Sequence, residues 1–304
     1  MALACLNFSG CFSASSNAGK NKSSDKAESD YQNPQTVGKI ASGEITESSG
    51  LAASLCQENV FWTHNDSGNK AHVFALNSKG EKLGTWKVAG AENDDWEDMT
   101  AFKNEKGECF LYVGDIGNND RTRGEFVIYV IKEPKISDAD KSSSAKSPLS
   151  IAAAEKIKFE YPDMRHDAET LMIHPQTGDL YVLSKRMSGA AGVYKLAANY
   201  SLEKTNTLKK IADFSVPAIP NGFLTGGGIS PDGRRAVICD YYDAYEIALP
   251  EKEKNFDEIW KQKISVVKLG KREQGEAVSY SRDGKSIFAT SENKNSPIIE
   301  VKRK

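Results

Sequence analysis

A repeated cycle of β-strand patterns constrains the fold of this chain more than any other feature. Each cycle contains an apolar alternation, a tight turn, a β-rich run, a polar loop and a second β-rich run, and it is clearest from Ala168 to Leu196. Aligned copies of the cycle begin at Ser49, Glu97, Glu169, Gly227 and Glu276. Hairpin repeats spaced by about 50 to 70 residues are typical of the four-stranded blades of a β-propeller.

The repeat predicts an all-β chain folded as one propeller over residues 36–304. Five blades are expected, or six if an irregular stretch hides another. The last cycle lacks a fourth strand, and Thr36 to Gly43 can supply it, which would close the ring by pairing the two chain ends. The Ser-rich segment 137–150 is interpreted as a flexible loop. A β-sandwich is the alternative, but its strands would not need a repeated order of turn types.

The N-terminal residues 1–35 differ from the rest, because they are rich in Ser, Lys, Asn and Asp and cannot bury a core. The stretch "FSGC" resembles a bacterial lipoprotein processing site in which Cys11 would be lipidated, so we expect a secreted protein or one anchored in the bacterial cell envelope. A disordered tail is the alternative. The near-zero net charge of −2 gives no reason to expect nucleic acid as a partner, and no apolar run is long enough to span a bilayer. Cys56, Cys109 and Cys239 have no metal-ligand spacing and are predicted to be buried free thiols.

One face of the predicted ring collects the unusual polar residues. In a blade, the inner strand begins at the same face that carries the connection between the second and third strands, and we call this face the mouth. The predicted metal ligands there are Asp95, Glu97, Asp167, Glu169 and Glu276. Their mutual repulsion would raise their pKa values unless a cation intervened. Oxygen-only ligands in Gly-rich loops favour Ca²⁺; the alternative is that these carboxylates cap loops through backbone N–H groups.

Other mouth residues are candidates for catalysis or ligand binding. The predicted catalytic residues are Asp98 and Asp115 as bases and His64 for acid–base chemistry. The predicted ligand-binding residues are Asn65, Asp66, His166, Lys185, Arg186 and Asp240. Lys185 and Arg186 would hold a phosphate, because guanidinium and ammonium groups bind such anions. Gly226 to Gly228 replace the carboxylate in the fourth cycle, and they would either line a pocket or belong to a crowded inner strand.

The motifs "WTHNDSGN", "DWEDM", "LYVGDIGNN", "DAETL", "ISPDGRR" and "QGEAV", in this order, resemble a family of bacterial secreted or cell-envelope β-propellers of uncertain function. A looser similarity reaches calcium-dependent propeller hydrolases of the phytase and apyrase types. This resemblance implies a propeller with Ca²⁺ in its central cavity. Two functions follow: hydrolysis of a small phosphorylated molecule, or non-catalytic binding of a protein, peptide or glycan at the mouth. A third interpretation is a purely structural mouth with no ion.

Overall fold

The computed structural model describes residues 30–304, and strands account for nearly all of its regular structure. The first strand, β1 (Gln35–Lys39), belongs to the last blade. Blade 1 contains β2 (Ser48–Ala53), β3 (Phe61–Asn65), β4 (His72–Leu76) and β5 (Lys82–Val88). Blade 2 contains β6 (Trp96–Lys103), β7 (Cys109–Asp115) and β8 (Phe126–Lys132), and after β9 (Leu149–Ile151) its fourth strand is β10 (Glu155–Glu160).

The remaining blades follow in chain order. Blade 3 contains β11 (Ala168–Ile173), β12 (Leu180–Ser184) and β13 (Ala191–Leu196), and after the short β14 (Asn206–Thr207) its fourth strand is β15 (Lys209–Phe214). Blade 4 contains β16 (Gly226–Ile229), β17 (Arg235–Cys239), β18 (Asp243–Ala248) and β19 (Ser265–Lys268). Blade 5 contains β20 (Val278–Tyr280), β21 (Ser286–Ala289), β22 (Pro297–Lys302) and β1. The predicted five-bladed propeller is therefore confirmed.

The ring closes through the two ends of the described chain. Strand β1 pairs antiparallel with β22, with Gln35 opposite Glu300 and Lys39 opposite Pro297. Tyr31 already packs against the propeller, upstream of the boundary predicted at residue 36, and its hydroxyl donates to Glu246 Oε1 at 2.6 Å. The edge of blade 5 is thus covered, as closed propellers require.

The five inner strands contact one another around the axis, and apolar clusters fill the spaces between blades. Asp98 lies at the centre of this arrangement and is completely buried. Its carboxylate accepts hydrogen bonds from the backbone N–H groups of Met99 (2.8 Å), Leu171 (2.9 Å) and Gly227 (3.3 Å). One side chain therefore joins the inner strands of blades 2, 3 and 4.

The segment 137–150, predicted to be a flexible loop, is packed against blade 1. It contains a 3₁₀ helix at Asp138–Ser142, and β9 pairs in parallel with β5. Ser143 is buried, and its hydroxyl accepts a hydrogen bond from Thr85 N at 2.8 Å. This segment has a composition typical of linkers, but it is ordered because its polar groups form hydrogen bonds with those at the edge of blade 1.

The cysteine prediction was wrong in part. Cys56 and Cys109 form a disulfide, and only Cys239 of the predicted three is a buried free thiol. The pairing was missed because the partners lie 53 residues apart, in different blades. The disulfide joins the turn between β2 and β3 to the start of β7.

The segment 1–29, including Cys11 and its predicted lipidation, lies outside the described residues. Between residues 30 and 304, no helix is long and apolar enough to cross a membrane.

Candidate functional site

The mouth of the ring contains a group of buried or half-buried carboxylates, which we call the acidic cluster. Its members are Asp66, Asp95, Glu97, Asp167 and Glu169. Carboxylate oxygens of Glu97, Asp167 and Glu169 lie within 4.8 Å of one another, and the same limit holds for Asp66, Asp95 and Glu97. Glu97 belongs to both groups, so the five side chains form one continuous arrangement.

Local backbone irregularities place the two central glutamates. The pairing of β6 with β7 shifts register between Trp96 and Asp98, and that of β11 with β12 shifts between Ala168 and Thr170. Glu97 and Glu169 are the residues at these two shifts. A β-bulge turns a side chain away from the regular pleat. The equivalent positions found in the sequence repeat are therefore equivalent in the fold.

Burial and mutual repulsion perturb the titration of the cluster. Burial, followed by the charges of Glu169 and Asp66, raises the pKa of Glu97 well above its usual range. Burial and the charge of Glu276 likewise raise the pKa of Glu169 well above normal. Burial, with the Asp66 and Asp167 charges, raises the pKa of Asp95 to about 6. The arrangement favours uptake of a positive charge, because protons or a cation would relieve the repulsion.

The two oxygens of Glu169 differ in their environment. Oε1 forms an ion pair with the Lys185 ammonium. Oε2 is buried and has no hydrogen-bond partner within residues 30–304. An unpaired buried carboxylate oxygen costs free energy unless an unseen partner binds it.

Lys185 is held inward and does not reach out of the mouth. Its ammonium lies 4.4 Å from the Phe223 ring centroid and 5.6 Å from that of Tyr241, besides its pair with Glu169. The charges of Glu169 and Glu276 raise its pKa against the opposing effect of burial. Lys185 therefore acts as a built-in cation on one side of the cluster.

Glu276, a predicted metal ligand, lies outside the two close carboxylate groups, although it is near enough to Lys185 for its charge to raise the pKa of that ammonium. Gln274 Nε2 donates to Glu276 Oε1 at 3.0 Å and to Glu292 Oε2 at 2.5 Å. Burial raises the pKa of Glu276 to about 7, and burial with the Glu276 charge raises that of Glu292 to about 7. Sequence reasoning assigned no role to Gln274 or Glu292, although Gln274 is the first residue of the motif "QGEAV" that it had selected.

Gly117 is a third residue that sequence reasoning missed. A Cβ built at this position would overlap Glu97 Oε1 and Asp95 Oδ2. The "GDIGNN" motif therefore needs glycine here because its backbone passes directly against the acidic cluster. The motif itself was the signal, and its packing partner could not be read from the sequence.

The predicted catalytic residues are engaged in structural contacts. Asp98 accepts the three backbone hydrogen bonds described above. Asp115 pairs with Arg123 at 2.7 Å and accepts from the backbone N–H groups of Asp94 and Asp95. Burial lowers the pKa of His64 to about 4, and its Nε2 has no partner in the described part of the chain. His64 is therefore uncharged at neutral pH, next to the backbone of Asp98.

Most predicted ligand-binding residues order the mouth loops. Asn65 accepts from Thr46 N and Glu47 N, and Asp240 accepts from Tyr242 N, Asp243 N and the Tyr245 hydroxyl. His166 Nε2 lies 2.6 Å from the Tyr194 hydroxyl and 3.0 Å from Asp163 Oδ1. Asp66 belongs to the acidic cluster. Arg186 is half-buried, and its guanidinium has no hydrogen bond or ion pair to any residue from 30 to 304.

The three glycines of the fourth cycle belong to a crowded inner strand. Gly227 N donates to Asp98, and a Cβ at Gly227 would lie 2.8 Å from Thr170 Cγ2. A Cβ at Gly226 would overlap the backbone oxygen of Glu276. Close packing of neighbouring inner strands, one of the two alternatives raised by the sequence, accounts for these glycines.

Comparison with known proteins adds similarity of structure alone. No protein-family model matches the chain, and no curated protein matches it. A solved structure described as a gluconolactonase from Xanthomonas campestris, important in glucose secondary metabolic pathways, aligns over 85% of this chain and 86% of its own, with 10% identity and a TM-score of 0.46. At this identity the similarity concerns the arrangement of strands and not individual site residues.

Proposed function

We propose that the protein binds a divalent cation in the acidic cluster, with Ca²⁺ as the first candidate, and that the bound ion holds an anionic ligand at the mouth. The observation that carries the proposal is Glu169 Oε2, a buried oxygen with no hydrogen-bond partner within residues 30–304. Glu169 belongs to one close carboxylate group with Glu97 and Asp167. Five carboxylates converge on this region, and Lys185 pairs with one of them.

The chemistry of the ligands favours Ca²⁺. The cluster offers carboxylate oxygens and no sulfur or imidazole ligand, and hard oxygen ligands suit Ca²⁺ better than zinc or copper. Backbone oxygens of the adjoining loops can complete the higher coordination number that Ca²⁺ accepts. Glu97 and Asp167 would provide the first ligands with Glu169, and Asp95 and Asp66 would lie next to them.

Two positive groups at the edge of the cluster, the bound cation and Arg186, would favour an anionic ligand. A bound cation would leave an outward-facing coordination position, and among residues 30–304 the guanidinium of Arg186 has no hydrogen-bond or ion-pair partner. Guanidinium groups bind phosphate and carboxylate through paired hydrogen bonds. A small phosphorylated molecule bridged by the cation and Arg186 satisfies both requirements.

Hydrolysis of a phosphoester is the reaction that this arrangement supports. The cation would neutralise the phosphoryl oxygens, and a carboxylate with a pKa near 7 suits a general base. Glu292 has such a pKa and is half-buried at the mouth. Water would form the new P–O bond and give its proton to Glu292, while the bond to the alcohol breaks and the alkoxide takes a proton from solvent.

The structural engagement of Asp98 and Asp115 favours a second candidate. Asp98 accepts three backbone hydrogen bonds, and Asp115 accepts two and pairs with Arg123, so the mouth can also work as a cation-dependent binding module without turnover. Hydrolysis of p-nitrophenyl phosphate in Ca²⁺, lost in Glu292→Gln while Ca²⁺ binding persists, would support the enzyme. Ca²⁺ binding without turnover of phosphoester substrates would support the module.

Calorimetric titration of EDTA-treated protein with Ca²⁺, together with thermal melts, tests the cation itself. We expect binding and a raised Tm in the wild-type protein and at least a tenfold weaker Kd in Glu97→Gln. Asp283→Asn is the matched control, because Asp283 lies in the β20–β21 turn at the face opposite the mouth. Absence of Ca²⁺ binding to the wild-type protein, or equal binding by Glu97→Gln, would refute the site.

An extracytoplasmic location is part of the same proposal. The Cys56–Cys109 disulfide supports it, because disulfides persist in oxidising compartments, where Ca²⁺ is also abundant. Non-reducing peptide mapping of the protein from its native source should recover these two cysteines in one linked peptide. Recovery of both as free thiols would contradict the location.

A further inference from the structure

One side of the mouth carries exposed apolar side chains that the proposed function does not use. Met164, Met187 and Ile219 are 58%, 72% and 100% exposed, respectively. All three lie in connections that reach the mouth: Met164 and Ile219 precede the inner strands of blades 3 and 4, and Met187 lies between β12 and β13. Large apolar side chains exposed together on one face commonly mark an interaction site.

Arginines accompany these apolar residues. Arg165 and Arg186 lie in the connections that carry Met164 and Met187, and Arg121 lies in the neighbouring β7–β8 connection. Within residues 30–304 the guanidinium groups of these three arginines have no hydrogen bond or ion pair. The acidic residues of the segments around Met164 are engaged elsewhere: Asp163 contacts His166 and Tyr194, and Asp167 accepts from Asn118 N. We call the combined surface the basic–apolar rim, and it consists of Arg121, Met164, Arg165, Arg186, Met187 and Ile219.

The rim is continuous because its loops contact one another. Arg186 N donates to Gly222 O at 2.8 Å, which joins the β12–β13 connection to the loop that carries Ile219. Burial lowers the pKa of His166, and the charges of Arg186 and Arg121 lower it further, so both guanidinium groups lie near this residue. Arg165 lies within 4 Å of the position that a Cβ on Gly124 would take. The four loops therefore form one surface beside the acidic cluster.

We propose that the basic–apolar rim docks an extended acidic segment of a partner protein, in which large apolar side chains alternate with Asp or Glu. Charge complementarity selects this partner, since guanidinium groups without intramolecular partners bind carboxylates. The apolar residues would contact the alternate side chains of the segment. The surface lies beside the acidic cluster and contains none of its carboxylates, so this proposal does not depend on the bound cation.

The charge of the mouth favours a soluble partner over a membrane. The acidic cluster would repel an anionic bilayer laid across the mouth.

The test uses a fluorescein-labelled synthetic peptide that alternates Leu and Phe with Asp and Glu, and measures its fluorescence anisotropy with the full chain in EDTA and in Ca²⁺. We expect saturable binding in both buffers, weakened roughly tenfold in Arg121→Gln/Arg165→Gln and in Met187→Ser/Ile219→Ser. Matched controls on other surfaces are Arg282→Gln and Leu202→Ser, which should bind as the wild type does. A peptide with Lys in place of the acidic residues, and one with Ser in place of the apolar residues, should not bind.

Several results would overturn the proposal. Absence of binding by the acidic peptide would do so, as would equal binding by the rim variants and the wild-type protein. Cosedimentation with phosphatidylserine vesicles without peptide binding would assign the rim to a membrane. A rim-dependent dimer in sedimentation velocity without peptide binding would assign it to a second copy of the chain. Loss of Ca²⁺ binding in Glu97→Gln with peptide binding retained would separate this surface from the proposed function.

Discussion

Replacing Lys185 with methionine tests whether the Lys185 ammonium stabilises the folded protein by neutralising the buried carboxylates at the mouth. Methionine keeps most of the side-chain volume against Phe223 and Tyr241, but it leaves Glu169 and Glu276 without their positive neighbour. Both members of the Lys185–Glu169 pair are largely buried, with side chains 13% and 6% exposed. Removing one partner of a buried pair costs about 3–5 kcal/mol, because the other charge stays buried.

In EDTA at pH 7.5, we therefore expect Lys185→Met to lower the free energy of unfolding by about 3 kcal/mol or more. The corresponding fall in Tm is roughly 6–12 °C for a domain of this size. The double variant Lys185→Met/Glu169→Gln should recover most of the loss, since the unpaired charge is gone. Denaturant titration of the four proteins gives the coupling energy, which we expect to be at least about 2 kcal/mol.

The same variant should be less defective in acid. The folded protein raises the pKa of Glu169, and a raised carboxyl pKa gives stability that is present at low pH and is lost as the pH rises through the folded pKa. The Lys185→Met defect should therefore shrink at pH 5. Lys132→Met is the control, because its pair with Glu108 is exposed and should contribute less than about 1 kcal/mol. A defect below about 1 kcal/mol, equal at both pH values and additive with Glu169→Gln, would refute the reasoning.

Three further outcomes are expected. In EDTA the free energy of unfolding of the wild-type protein should fall as the pH rises from about 5 to 8. Glu276 alone should contribute about 3 kcal/mol of this fall, because folding raises the pKa of Glu276 from 4.5 to about 7. Ca²⁺ should flatten the pH dependence, and a flat profile in EDTA would contradict the prediction. Asp98→Ala should cost about 3 kcal/mol or more in urea unfolding, because three backbone N–H groups lose their acceptor, and a cost near zero would show that the carboxylate does not join the inner strands. Gly117→Ala should weaken Ca²⁺ binding at least tenfold in calorimetry, because the new Cβ would overlap Glu97 and Asp95. Gly43→Ala is the control and should bind Ca²⁺ normally, because the space around its Cβ is open. Equal affinities of the two variants would show that Gly117 is not part of the site.

The sequence allowed the blades to be predicted because their signals are local. The same turn residues recur in successive blades, as in "SPDG" at Ser230 to Gly233 and "SRDG" at Ser281 to Gly284. The regular spacing between these copies predicts a ring of blades. The equivalence of Glu97 and Glu169 also followed from this alignment, and the structure places the two together.

The remaining features depend on distant contacts that a local pattern does not contain. Lys185 was expected to face a ligand, but its position between Glu169 and two aromatic rings depends on three segments meeting. Asp98 lies one residue from Glu97 and yet faces the inner strands, because the bulge changes the direction of successive side chains. Pairing of Cys56 with Cys109 likewise required knowledge of which blades are neighbours.

The strand that closes the ring has a consequence for the order of synthesis. Strand β1 is translated before every other strand of the propeller, but its partner β22 is the last to be made. Strand β1 therefore has no partner strand until Pro297–Lys302 has been translated, and blade 5 has an open edge until then. A ribosome stalled shortly before Pro297 would hold a chain in which β1 cannot pair, so the ring closes only after every other strand of the propeller has been made.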